Sequence, residues 1–256
     1  MFATTPGAAV SRYFGFWPRE LNAIFDRLPR VFCKTGGSVV AVSAPNSFNS
    51  LSMKILCIGR NYAEHIAELQ NETPDAPVIF AKPDTALLQR NQPFFLPDFS
   101  QDIHHEVELV LRICKNGKNI EEKFAPTYFD AIGLGIDFTA RDLQSKLKSK
   151  GLPWELAKGF DGSAPISQEF KPVSEFADLK NIDFRLEVNG EVRQQGNSGL
   201  MLHDFSKIIS YISQFITLKM GDLIFTGTPS GVGPVKIGDQ LTGFIGEDKM
   251  FDLAVK

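Results

Sequence analysis

The sequence predicts a β-rich α+β fold. Short β-like runs recur along the chain between turn residues, and an Asn-Gly pair joins two of them. Strands and helices do not alternate in a regular β-α-β order, and no internal repeat appears, which argues against a doubly wound sheet or a solenoid.

The elements follow in order from about Met53. Residues 54–58 form a short apolar run ending at Gly59, and residues 61–69 place Ala63, Ile66, Ala67 and Leu69 at helical spacing. Further β-like runs fall at 77–81, 106–113, 131–138, 183–188, 191–194, 223–226, 240–245 and 250–255. Helical stretches fall at 139–150 and 206–215, and Asn189-Gly190 is the hairpin turn.

The first 52 residues differ from the rest. They hold four Arg and one Lys against two acidic groups, whereas the remainder holds six Arg and sixteen Lys against 28 acidic groups. Pro6, Pro18 and Pro29 and the stretch Tyr13-Phe14-Gly15-Phe16-Trp17 spoil a clean amphipathic helix. The chain is therefore expected to divide into an N-terminal extension, 1–52, and a main domain, 53–256. The extension is expected to be poorly packed, with at most a short helix near residues 18–28. It reads as a start assigned upstream of Met53, with an organellar targeting segment as the alternative.

Composition removes several function classes. The chain has 256 residues with 43% apolar and 22% charged side chains, which is globular rather than disordered. Its formal net charge is −3 and it lacks a basic stripe, so nucleic acid is not expected as a partner. It has no apolar run long enough to span a membrane. Cys33, Cys57 and Cys114 are too few and too scattered for a disulfide framework or a thiolate zinc site, consistent with a cytoplasmic protein.

The stretch from Asp102 to Val110 is the richest in chemistry. Read as a strand, it places Glu106 and Glu108 on one face and Val107, Leu109 and Leu111 on the other. Two adjacent carboxylates repel when buried, a cost that a divalent cation removes; a solvated strand face is the alternative. Oxygen donors without thiolate suit Mg²⁺, Mn²⁺ or Ca²⁺. Asp137 ends the apolar run 131–136, where it is either a helix N-cap or a third ligand. His65 and Glu68, three apart on a helix, form either a general-base pair or an ordinary surface pair. Lys158 lies among apolar residues, as a desolvated anion binder would. The Gly-rich stretch 226–234 lacks the ending of a P-loop, which excludes nucleotide binding, but its backbone amides can hold a carboxylate. No Gly-x-Ser-x-Gly elbow is present.

Several motifs in order resemble the fumarylacetoacetate hydrolase family, specifically its short acylpyruvate hydrolase and oxaloacetate decarboxylase or tautomerase members. They are Gly59-Arg60-Asn61-Tyr62-Ala63-Glu64-His65, Phe80-Ala81-Lys82-Pro83, His104-His105-Glu106-Val107-Glu108-Leu109 and Asp137-Phe138-Thr139-Ala140-Arg141-Asp142 with Gln144. Gly151-Leu152-Pro153-Trp154 through Lys158, Val188-Asn189-Gly190, Gly221-Asp222 and the stretch from Thr226 to Pro234 complete them. The resemblance runs from about Met53 to the C-terminus.

It implies a mixed β-roll or barrel-like sheet with flanking helices, assembled as a homodimer. It implies Mg²⁺ or Mn²⁺ held by Glu106, Glu108 and Asp137. His65 and Glu68 resemble the family's catalytic dyad on a lid helix, and Lys158 the lysine beside the bound keto acid. Arg60, Asn61, Lys82, Arg141, Gln144 and Thr228 resemble its substrate contacts. The implied chemistry is a metal-stabilised enolate of a small 2-oxo or β-diketo acid. C–C hydrolysis of an acylpyruvate is the first expectation, because Glu68 completes a base that can activate water. Oxaloacetate tautomerase or decarboxylase activity is the alternative, followed by a 2-hydroxyhepta-2,4-diene-1,7-dioate isomerase-type reaction. An idle binding protein would not need the dyad, the carboxylates and Lys158 together.

Overall fold

The structure is a computed structural model that describes residues 31–35, 38–42, 53–69, 72–88 and 92–256. The chain divides into two units, Met1–Ser50 and Leu51–Lys256. In the first unit, β1 (Val31–Thr35) and β2 (Ser38–Val42) pair as an antiparallel hairpin, where the sequence suggested no strands. The short helix expected near residues 18–28 lies outside the described residues.

The second unit runs β3 (Ile55–Gly59), α1 (Ala63–Glu68), β4 (Val78–Lys82), β5 (Leu87–Leu88), β6 (Ile103–His105), β7 (Val107–Ile113), β8 (Phe129–Ile136) and β9 (Thr139–Ala140). It continues with α2 (Arg141–Ser149), α3 (Glu155–Lys158), β10 (Ala164–Pro165), β11 (Lys171–Pro172), β12 (Asp183–Val188) and β13 (Glu191–Asn197). It ends with α4 (Phe205–Phe215), β14 (Leu223–Phe225), β15 (Gly233–Pro234), β16 (Gln240–Ile245) and β17 (Asp248–Ala254). A mixed six-stranded sheet has the order β11-β8-β7-β14-β3-β4, and an antiparallel four-stranded sheet the order β13-β12-β16-β17. The small sheets β15-β6-β9 and β10-β5 flank them, and all of these sheets are open. The strand-rich α+β class expected from the sequence is therefore present, with few helices.

Period-two alternation sorts the six-stranded sheet into two buried faces. Leu56, Ile58, Leu109, Leu111, Leu134 and Ile224 join the main core, which also holds Phe184, Leu186 and Leu253 of the four-stranded sheet. Ile55, Cys57, Val110, Leu223 and Phe225 face the other way into a smaller core. Glu108 shares the parity of Val110, so it emerges on the side of the smaller core. Its strand partner is Gly135, where a Cβ would come within 2.7 Å of the Phe225 ring. The missing side chain at 135 makes room for that ring beside the site.

The hairpin at Asn189-Gly190 is as the dipeptide predicts: φ is 55° at Asn189 and 81° at Gly190, the left-handed pair of a type I′ turn. In α4, Phe205, Ile208, Ile209 and Ile212 form one buried stripe. Asp204 caps that helix by accepting from the Lys207 amide at 2.9 Å. Asp204→Ala is expected to cost about 1 kcal/mol, the usual worth of such a cap, read as a lower urea midpoint at unchanged slope.

Candidate active site

The residues of the site come from five stretches of the chain, around residues 60–68, 106–108, 137–148, 158 and 228. The strand expected over 106–113 is interrupted: β6 ends at His105, Glu106 has no strand pairing, and β7 begins at Val107. Asp137 follows β8, and its amide donates to the Glu106 carbonyl at 2.8 Å. The break and the strand end meet, so that Glu106, Glu108 and Asp137 each offer an oxygen within 4.8 Å of the others. All three are buried, which removes the alternative of a solvated strand face. Asp137 is not a helix cap either, since Ala140 holds the N-cap position of α2 and no side chain caps it.

Three cations pair with two of the three carboxylates here. Lys158 Nζ lies 2.7 Å from both Glu106 Oε2 and Asp137 Oδ2. Arg141 Nη2 pairs with the other Glu106 oxygen, and Lys82 Nζ lies 2.7 Å from Asp137 Oδ1. Burial acts to raise the Glu106 pKa, but the charges of Lys158 and Arg141 outweigh it and hold the carboxyl well below the usual range. Burial likewise works against the Lys158 charge, and Asp137 and Glu106 overcome it and raise its pKa. Glu108 has no such cation. Burial pushes its pKa well above the carboxylate range, with Asp137 and Glu106 adding to the effect. It accepts only a backbone hydrogen bond, from Gly227 N at 2.7 Å.

This donor set fits a divalent cation. Asp137 Oδ1 is buried and makes no hydrogen bond, its contact with Lys82 being an ion pair outside hydrogen-bond geometry. Glu108 has no cation paired directly with it, and burial beside Asp137 and Glu106 disfavours its charged form, a cost that a bound cation would remove. Three carboxylates without thiolate or imidazole suit Mg²⁺ or Mn²⁺.

The helix α1 brings His65 to the same cavity. His65 Nδ1 lies 3.2 Å from Glu68 Oε2. The helix has six residues and no side-chain N-cap, so its position depends on what it packs against. Asn61 anchors its entry, donating to the carbonyls of Thr226 at 2.8 Å and His203 at 3.0 Å and accepting from His203 N at 2.8 Å. The Gly-rich loop holds its other end: Gly231 N donates to Glu68 Oε1 at 3.1 Å and Ser230 Oγ to Glu64 Oε2 at 3.1 Å. The amides of this loop do hold carboxylates, but Glu108 and Glu68 of the protein itself. Gly227 (φ 102°) has no room for a side chain, since a Cβ would lie 2.6 Å from that of Asn61.

A cavity of about 120 Å³ collects these groups. Its wall includes Arg60, His65, Glu106, Glu108, Asp137, Arg141, Gln144, Lys158 and Thr228. Two residues expected to contact substrate do not line it. Asn61 is fully buried with its amide spent on the backbone. Lys82 lies behind Asp137, donating to Ser163 and to the Lys158 carbonyl. Both support the wall rather than form it.

Lys148, absent from the sequence motifs, also lines the cavity, as do Phe80 and Trp154, which stand in those motifs without an assigned role. Arg141, Gln144, Ser145 and Lys148 share one face of α2, so i, i+3, i+4, i+7 spacing from Arg141 was the signal for Lys148. Buried Gln194 was also missed, and no local pattern marks it.

The chain is similar to several known proteins. Oxaloacetate tautomerase FAHD1, mitochondrial, of Bos taurus is 43% identical over 203 residues, covering 79% of this chain and 91% of that protein. Oxaloacetate decarboxylase, mitochondrial, of Dictyostelium discoideum is 45% identical over 215 residues, covering 82% and 98%. The crystal structure of fumarylpyruvate hydrolase from Pseudomonas aeruginosa in complex with Mn²⁺ and pyruvate superposes with a TM-score of 0.74 at 32% identity, covering 91% of this chain and 98% of that one. The pattern of the fumarylacetoacetate (FAA) hydrolase C-terminal family matches residues 54–250. By that match over most of its length, and by 43% identity to a relative of which it covers 91%, this chain belongs to the fumarylacetoacetate hydrolase family.

Proposed function

We propose that this chain is a divalent-metal-dependent enzyme that interconverts the enol and keto forms of oxaloacetate or a similar small 2-oxo dicarboxylate, or decarboxylates it. The observation that carries this reading is the charge of the wall. Besides Arg141 and Lys158, which pair with Glu106 and Asp137, Arg60 and Lys148 border the cavity, so the wall offers positive charge for a second carboxylate of a small dianionic substrate. The names of the Bos taurus and Dictyostelium discoideum relatives support the same substrate.

Glu106, Glu108 and Asp137 would hold Mg²⁺ or Mn²⁺, which supplies Lewis-acid polarisation of the substrate's oxygens when bound. Lys158 places positive charge beside the position where the keto oxygen gains negative charge. Glu68 accepts from His65 Nδ1–H and leaves Nε2 to exchange a proton. Tautomerisation needs one proton removed from the enol oxygen and one delivered to C3, and His65 can serve either step. Decarboxylation leaves an electron pair at C3 that is protonated in the same way. A base beside the cavity therefore serves proton transfer to carbon as well as water activation, so Glu68 does not single out hydrolysis as the sequence argument held.

Acylpyruvate hydrolysis is the second reading, supported by the likeness to the fumarylpyruvate hydrolase structure. The test is the full chain with Mn²⁺ and freshly prepared enol-oxaloacetate, followed by ultraviolet absorbance, with EDTA and protein-free controls. Metal-dependent loss of the enol above background is the expected result. Inactivity there, with pyruvate and acetate released from acetylpyruvate in proton NMR, would replace this reading with the hydrolase.

A further inference from the structure

We propose that Gln194 is a positioning residue that holds the Glu106 break and the loop docking the dyad helix in one register. Gln194 lies on β13 and is 1% exposed. Its Oε1 accepts from Val107 N at 3.0 Å and lies 2.9 Å from His105 Nδ1. Its Nε2 donates to Thr228 Oγ1 at 2.8 Å and to the Pro229 carbonyl at 3.0 Å.

The partners leave one orientation for this amide. The Val107 N–H can only donate and the Pro229 carbonyl can only accept, so oxygen faces β7 and nitrogen faces the loop. His105 must then carry its proton on Nδ1. Every polar position of the amide that these partners reach is used in a dry setting, where a lost partner is costly.

What Gln194 joins gives it consequence. His105 and Val107 are the two neighbours of Glu106, so Oε1 pins both sides of the break that turns this carboxylate toward the triad. Thr228 borders the cavity, and Pro229 leads into Ser230 and Gly231, which bind Glu64 and Glu68 of α1. One amide thus connects the first carboxylate of the triad to the seat of the dyad helix. No other side chain among the described residues hydrogen-bonds to both neighbours of Glu106, the His105 ring and the Val107 amide, and to this loop.

Gln194→Glu tests the linkage in the full chain. It keeps the size and the oxygen facing β7, but sets an oxygen against the Pro229 carbonyl. Thr228→Val severs the same link from the loop side and keeps the shape, should Gln194→Glu fail to fold. Two readouts need no substrate: Mn²⁺ affinity by electron paramagnetic resonance, and amide hydrogen exchange over residues 62–69. The expected result is Mn²⁺ affinity weaker by roughly 10-fold, in the range for lost outer partners of metal ligands, together with faster exchange in α1. Thr228→Val is expected to move both in the same direction by less. A lower melting temperature with both readouts unchanged would make Gln194 a packing residue and overturn the proposal, as would a change in one readout without the other. If the unmodified chain binds no Mn²⁺, the metal-dependent function above fails, while the exchange arm alone still decides whether Gln194 holds the loop.

Discussion

Glu106→Ala is expected to abolish turnover and weaken Mn²⁺ binding by more than roughly 100-fold, beyond the usual loss for an outer partner because a direct oxygen donor disappears. The effect goes further than a missing ligand. Glu106 is the carboxylate shared by Lys158 and Arg141, so its removal leaves three cations around two acids. A divalent cation then enters a site with more positive charge and fewer donors. The fold should survive, since Lys158 keeps Asp137 and Arg141 keeps Gln144 at 2.6 Å. Titration with Mn²⁺ alongside circular dichroism separates the two effects, and Glu106→Gln, which keeps the volume, should lose binding as well. Unchanged Mn²⁺ affinity in a folded Glu106→Ala protein would remove Glu106 from the ligand set.

His65→Ala should have the opposite profile. Among the described residues α1 makes no hydrogen bond to the triad and His65 acts on Glu106 only through its charge, so Mn²⁺ affinity should change little. The rate at saturating metal and substrate should fall by roughly 10²–10⁴-fold, the worth of a positioned acid–base group. Glu68→Gln should cost less, because it keeps an acceptor for His65 Nδ1 and loses only the charge. Steady-state kinetics at saturating Mn²⁺ decides this, with the protein-free rate subtracted. A full-rate His65→Ala enzyme would exclude the dyad from proton transfer.

The legible and illegible parts of the site divide by sequence distance. Glu106 and Glu108 were legible because they lie two residues apart in a strand whose apolar positions alternate, and Asp137 because it ends a buried run. His65 and Glu68 were legible as a helical pair. Lys82 and Asn61, expected as substrate contacts, lie behind the cavity wall for a shared reason. A polar residue beside an apolar strand is equally consistent with facing a ligand and with bonding a neighbour behind the wall. Asn61 chose the Thr226 carbonyl, 165 residues away, and Lys82 chose Ser163 and Asp137. The Gly-rich loop was read as a holder of carboxylates, and only the packing shows that they belong to Glu68 and Glu108.

The sequence by itself determined the β-rich class, the longer strands and helices from β3 onward, the type I′ turn at Asn189-Gly190 and the short list of acids able to meet a cation; the two-residue strands β5, β9, β10, β11 and β15, the helix α3 and the break at Glu106 escaped it. What it determined follows from forces acting over a few residues: side-chain periodicity, turn conformation and repulsion between neighbouring carboxylates. The tertiary structure alone decided which polar groups face the cavity, which carboxylates already have cations, and that Gln194 reaches His105 across 89 residues. Those outcomes depend on strand pairing and on buried hydrogen bonds that must all be satisfied at once. Such a requirement is set by the assembled fold and leaves no trace in local pattern.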